Sequence, residues 1–179
     1  MRRVINTFPL TNKIREFIDT NKEIPFVKTV AVGDLSILPP PQNFKEWMPA
    51  ILVCPDTIYN SRPVNKKIST GSYNFIIRYI KYYDVSDFAN VQAEAIQEAD
   101  TIANILMNDE DMMDVSRIGD PYNYRYTIFD NDTKPLGFII QTHVSNIEFN
   151  TIDSEIFRRL KVPVVIVEMQ YEVIFYSTK

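Results

Sequence analysis

The residues able to do acid–base, nucleophilic or metal chemistry are few in this chain and far apart. There is one histidine, His143, and one cysteine, Cys54. A metal site needs several donors converging on one point. No second histidine and no cysteine cluster accompanies either residue, so His143 reads as an ordinary strand histidine. A nucleophilic thiol needs a base beside it. These two residues fall in different strand patterns, so Cys54 reads as a structural thiol. Glu168 and Glu172 lie on one strand face. Paired carboxylates in glycosidases sit about 5–10 Å apart across a cleft. Four residues of strand at roughly 3.3 Å each place these two about 13 Å apart. An acidic stripe facing solvent or a lumen fits them better. Arg62, Lys66 and Lys67 form a small basic cluster, which either meets an acidic partner or keeps a loop soluble. Tyrosine buries area while keeping a polar tip, and so is enriched at interfaces. Tyr82, Tyr83 and Tyr176 are therefore candidates for an interface or for plain sheet-face packing. No catalytic, cofactor-binding or metal-ligating set emerges.

Length and composition bound what those residues belong to. A chain of 179 residues, 45% apolar and 12% aromatic, can bury a core as a single domain with room for arms. Apolar runs such as Val162 to Val167 fall far short of the roughly 18 residues of a membrane span. Met1-Arg2-Arg3-Val4-Ile5-Asn6 lacks the apolar stretch of a secretory signal. One cysteine fits a reducing compartment. A net charge of -4 weighs against a phosphate grip, which uses Lys and Arg to displace counterions. It leaves room for a surface past which nucleic acid slides. Four glycines are too few to indicate a phosphate-cradling loop. Eleven prolines, several between structured runs, indicate stiff, extended connections.

The central unit is a strand running into a helix. Tyr73, Phe75, Ile77, Tyr79 and Tyr83 share one strand face by period two. Asp84, Ser86 and Asp87 supply N-cap chemistry. The helix, predicted over Asp87–Leu106, carries Phe88, Val91, Ala95, Ala99, Ile102 and Leu106 as one apolar stripe. Gln92, Glu94, Gln97, Glu98 and Asp100 take its other faces.

Around this unit, Thr11 or Asn12 caps a short N-terminal helix with Ile14, Phe17 and Ile18 on its apolar edge. Residues 24–48 form a proline-rich insert. Within it, Ile24 to Val32 is a strand or an extended arm, and Leu38-Pro39-Pro40-Pro41 breaks regular structure. Phe44, Trp47 and Met48 make a short anchor packed back on the core. Ala50–Cys54 is a buried strand between prolines. Residues 56–72 read as a long polar loop joining two antiparallel strands, a candidate contact arm. Asp109-Glu110-Asp111 is a solvated helix exit. Tyr124 to Asp130 is a short strand. Leu136 to Phe149 is a strand with Phe138, Ile140 and Val144 on one face, and Thr151 to Lys161 is a helical turn or a polar hairpin loop. In the last strand, Val162–Tyr176, the first half is apolar on both faces and therefore covered on both sides. Its second half alternates cleanly, as a half-exposed strand does.

The order N-terminal helix, strand, polar loop, long strand, helix and two long strands resembles the tail terminator and tail-completion proteins of long-tailed bacteriophages. The residues that carry the resemblance are Ala50–Cys54, Tyr73–Tyr83, Asp87–Leu106, Leu136–Phe149 and Val162–Tyr176. The resemblance implies an α+β fold, with a mostly antiparallel sheet of about four strands, one main helix packed on it, the N-terminal helix and extended loops. It further implies a structural virion protein of the tail or neck, assembled in the host cytoplasm and not an enzyme. Such proteins form a hexameric ring that caps the tail tube, stops its polymerisation and joins the head. Their partners are further copies, the tube protein and neck or connector proteins. DNA passes through the lumen without specific binding, and neither cofactor nor membrane takes part. The prolines of 24–48 exceed what this pattern needs. Another neck, head-closure or tube protein, or a small ligand-binding or enzymatic α+β domain, shares the composition.

The double substitution His143→Gln with Cys54→Ser is expected to leave folding and assembly intact, read by thermal melting and solution mass. A variant that folds and assembles but loses a measurable turnover would place chemistry at these residues.

Overall fold

A computed structural model describes residues 7–63, 68–82, 88–107, 127–130, 134–150 and 164–178. In chain order the elements are helix α1 (Thr7–Asp19), strand β1 (Thr29–Val32), helix α2 (Phe44–Trp47), β2 (Ala50–Pro63), β3 (Ile68–Tyr82), helix α3 (Phe88–Met107), β4 (Thr127–Asp130), β5 (Lys134–Asn150) and β6 (Val164–Thr178). They form one sheet in the order β1-β2-β3-β6-β5-β4. Only β1 and β2 run parallel, and the other four pairings are antiparallel. The class is the expected one, α+β with a mostly antiparallel sheet. The long strands β2, β3, β5 and β6 are its centre, and the short β1 and β4 are added at its edges.

One face of this sheet holds the main core. Tyr73, Phe75, Ile77 and Tyr79 of β3 and Val165, Val167, Met169, Tyr171, Val173 and Phe175 of β6 are all buried there. The alternation read from the sequence is therefore the burial alternation; Tyr83, assigned to the same face, lies outside the described residues. α3 packs on β5 and β6, with Ala95, Ala99, Ile102 and Leu106 buried. Alanines at three of its inward positions, Ala95, Ala99 and Ala103, let the helix approach the sheet closely. Thr142 of β5 donates its hydroxyl to the Leu106 carbonyl at 3.0 Å, a buried bond. It satisfies one of the carbonyls that the end of a helix leaves without a partner.

α1 adds Leu10, Ile14, Phe17 and Ile18 to this core. It begins earlier than expected. Thr11 lies inside the helix, with its hydroxyl donating to the Thr7 carbonyl, and Pro9 falls in the first turn, where no intrahelical N–H is needed. α1 touches β1 and β2 near one edge of the sheet and β4 at the other. Six strands about 4.8 Å apart would span more than 20 Å if flat, so the sheet curls around the helix.

The insert covers part of the opposite face. Its prolines do break regular structure, into 3-10 turns at Leu35–Ile37 and Pro41–Asn43. Phe44 and Met48 then pack against Ala50, Leu52, Ile80, Val164 and Ile166 in a second core. This is why the first half of β6 is apolar on both faces.

Two expectations about the strands are corrected. Residues 56–72 are not a long loop. β2 continues to Pro63 and β3 begins at Ile68, paired as far as Pro63 with Ser69. Backbone pairing needs no apolar alternation, and irregularities between Pro55 and Ile58 and between Tyr59 and Arg62 absorb the residues that spoil the pattern. β5 does not keep one period. Breaks between Ile139 and Gln141 and between Val144 and Asn146 shift its phase, so Ile139, Thr142 and Val144 are buried. A single bulge moves every later side chain to the other face. The segments 109–111 and 151–161 lie outside the described residues.

Glu98 is the third correction. It is not on a solvent face of α3. The Tyr79 hydroxyl donates to it, and Lys81 Nζ lies 2.8 Å from Glu98 and 2.9 Å from Glu94. Lys81 is one step of period two beyond Tyr79, so the strand presents an ammonium to the helix where the apolar stripe ends. Burial, then the hydrogen bond and charge of Glu98, hold the Tyr79 hydroxyl far above its usual range. Burial pulls Lys81 down, but its bonds to Glu98 and Glu94 outweigh this and raise it.

Ile102→Ala should cost about 2–5 kcal/mol in denaturant melts, the range for a buried large-to-small change. Glu98→Ala should cost about 1–3 kcal/mol, because it strands the buried Tyr79 hydroxyl. Both raised groups hold their protons longer in the folded chain. The stability they supply is thus complete below the ordinary values of 10.0 for Tyr79 and 10.5 for Lys81, and is lost above them. The melting temperature should fall as pH rises past that point, and less steeply in Tyr79→Phe. A Tyr79→Phe curve as steep as the parent's would remove Tyr79 as a cause.

Candidate assembly surface

The second core covers only one end of the face opposite α3. Beyond it the face is mostly polar, with Ile76 and Ile174 among its residues, and the registers lay it out in rows across β2, β3, β6 and β5 from Leu52 at the border of that core. One row is Leu52, Arg78, Glu168 and Glu148; the next is Cys54, Ile76, Gln170 and Asn146. Then come Asn74, Glu172 and His143, followed by Ser72, Ile174 and Gln141. The clean alternation of β6 puts Glu168, Gln170 and Glu172 here because its odd residues fill the main core.

The carboxylates of this face have partners. Arg78 Nε lies 2.6 Å from Glu168 Oε2, with the side chains 16% and 28% exposed. An arginine–carboxylate pair this sheltered is screened less than a surface pair. The Ser72 hydroxyl donates to Glu172 Oε1, and Asn146 Nδ2 donates to Glu148 Oε1 at 2.9 Å. Glu168 and Glu172 share the face, in rows two apart, and do not converge on a point. His143 is exposed and sits directly across from Glu172. Cys54 is half-buried on β2, three strands from His143, or about 14 Å at the usual spacing. Among the described residues no three of His, Cys, Asp and Glu are placed to hold a metal ion. The arrangement offers charge and hydrogen-bonding groups on an open sheet, with one arginine facing three glutamates.

The residues singled out as interface candidates divide between the two ends of β3. Arg62 pairs with Thr70, which pairs on its other side with Tyr176, so Arg62 and Tyr176 stand in one row near the β2–β3 connection. Tyr82 is at the opposite end. It is half-buried against the second core, with Lys45 Nζ 5.8 Å from its ring centroid. Lys66, Lys67 and Tyr83 lie outside the described residues. Sequence reasoning missed Arg78, Ser72 and Asn146. The signal was present in part, since Arg78 interrupts the apolar strand at a position of the same parity as Ser72 and Asn74.

No family model matches the sequence, and no curated protein is similar to it. One chain of a solved structure described as "Virion of native gene transfer agent (GTA) particle" is 10% identical, with 94% of this chain and 95% of that chain covered at a TM-score of 0.48. A likeness of that size carries no argument about this chain.

Tyr82→Ala should lower stability by about 1–2 kcal/mol, a fraction of the cost for a fully buried aromatic, while Tyr82→Phe should leave it nearly unchanged. A melt showing no loss for Tyr82→Ala would release this residue from the second core and return it to the interface candidates.

Proposed function

We propose that the chain is a structural virion protein that caps the tail tube of a long-tailed phage as a hexameric ring, ends tube polymerisation and presents the surface joined by the head. The order and pairing of the elements carry this reading. Helix, strand pair, helix and two long strands close into one sheet with the main helix packed on one face, as the resemblance to tail terminators requires. The chain acts by assembly rather than catalysis. Its partners are further copies, the tube protein and neck proteins.

A ring subunit needs two different surfaces that meet head to tail. The basic residues Arg62, Lys66 and Lys67, with Tyr176 in the row of Arg62, are proposed to supply one of them. The net charge of -4 suits a lumen that DNA crosses without being held.

Solution mass and negative-stain images test the assembly. The expected result is a ring with a central hole that shortens tubes when added to polymerising tube protein. Long stacks of this chain alone would make it a tube protein, and a compact monomer at all concentrations would overturn the ring. Trypsin gives a finer test, since Lys66 and Lys67 are its sites and Pro63 slows the bond after Arg62. Cleavage after Lys66 should be slower in the ring than in isolated subunits. Equal rates would exclude the connection from the contact.

A further inference from the structure

From the register of β5 and the flank of α3, we infer that two copies of this chain pair along the outer edge of β5, as antiparallel strands about a twofold axis. This goes beyond the ring reading and does not depend on it. β5 runs from Lys134 to Asn150, but β4 pairs with it only as far as Phe138. On the other side β6 stays paired as far as Asn150. From His143 to Phe149 the outer edge of β5 therefore has no strand on it among the described residues. An open edge is a template for another strand. His143, Ser145, Asn146 and Glu148 are exposed along it. Phe149 is 43% exposed although it lies on the core side of the sheet, opposite Val167.

The edge is matched to itself. The irregularity between Val144 and Asn146 leaves Val144 and Ile147 on the core face, three residues apart, and His143 and Glu148 on the other face. In an unbroken strand, residues three or five apart lie on opposite faces. An antiparallel copy that sets its Glu148 against His143 also sets its Ile147 against Val144, and twofold symmetry makes each match twice. An imidazole N–H then meets a carboxylate, one that Asn146 Nδ2 already holds at 2.9 Å. The aliphatic pair is of the kind that stabilises neighbouring strands.

The helices fit the same axis. α3 packs on β5 and β6, and its Glu98 reaches toward β3. At about 100° per residue, Ile96 and Met107 lie roughly 160° and 180° round the helix from Glu98, on the flank toward the β5 edge. They are 46% and 41% exposed. With strands about 4.8 Å apart, two such helices stand about 10 Å apart across the axis, a usual helix-packing distance. Thr142 bonds the Leu106 carbonyl, so this register brings Phe149 of one copy to the end of α3 in the other, beside Met107. One symmetric contact covers Ile96, Met107 and Phe149 together. It is complete with two copies, unlike the head-to-tail contact of a ring.

Cross-linking between two differently substituted full-length chains tests the register. Both carry Cys54→Ser, so that no native thiol competes; one adds His143→Cys and the other Glu148→Cys. Mixed and oxidised, they should form linked dimers, because directly opposed residues lie within disulfide reach. Either chain alone should link several times less, since like positions are offset by five residues, roughly 15 Å along the strands. Ser145→Cys, next to the axis, should link to its own copy, and serves if either of the others fails to fold. Ile96→Asp, at an exposed helix position, should reduce linking in the mixture several-fold. Thermal melts check the fold of each variant. Linking in the mixture no greater than in either chain alone would overturn the pairing, and leaves the ring reading standing where images still show rings. Linked pairs from a chain that never forms rings would uphold the pairing and end the ring reading. Linking untouched by Ile96→Asp would overturn the helix contact.

Discussion

Fifteen residues of β3 pair with fifteen of β6 without a bulge. Everything else in the molecule is arranged around that unbroken ladder. Because side chains alternate strictly along both strands, the odd residues form one apolar surface and the even residues another surface of different character. A single inserted residue would have mixed the two. The irregularities fall instead in β2 and β5, outside the central pair. There they bend the sheet and leave its two faces distinct. Gly71 belongs to the same design. It faces Phe175 across the ladder, and the Tyr73 ring lies over it, 2.9 Å from where a side chain would begin. An aromatic ring takes the place of the missing side chain near the end of the core.

The two faces have different coverings, and this gives the molecule its polarity. α1 and α3 close the odd face along much of its length. The insert closes only the end of the even face, with Phe44 and Met48 as its anchors. Between that anchor and the β2–β3 connection the even face holds its glutamates against defined partners, Arg78, Ser72 and Asn146. The Arg78–Glu168 pair, with side chains 16% and 28% exposed, fixes two of these charges relative to the sheet.

Much of this was legible in the sequence where one period runs long enough to dominate. Tyr73, Phe75, Ile77 and Tyr79, and the stripe of α3 from Ala95 to Leu106, are buried as their spacing predicts. The double-sided apolar start of β6 and the anchor at Phe44 follow from residue type alone. What escaped the sequence has particular causes. The extension of β2 and β3 to Pro63 and Ile68 is written in backbone hydrogen bonds, which polar residues make as well as apolar ones. The inward turn of Glu98 depends on Tyr79 and Lys81, nineteen and seventeen residues earlier. The pairing of Arg78 with Glu168 spans ninety residues. Such partners are invisible to local periodicity. The interface candidates were chosen by residue type, so they divided between a packed position at Tyr82 and the far row of Arg62 and Tyr176.

The place of β6 has a consequence for how the chain reaches this fold. It is the last strand in sequence, and it sits between β3 and β5. Before it is made, β1 to β3 and β4 to β5 are two separate pieces, each with a long open edge where β6 will lie. Neither hairpin can complete the core alone, because six inward residues of that core belong to β6. Synthesis proceeds at about 5–20 residues per second, so the nascent chain carries both unpaired edges until β6 emerges. The closing step joins contacts far apart in sequence, a class that forms slowly. During that interval the edges are open to other strands, and the chain's window for mispairing is set by the arrival of β6.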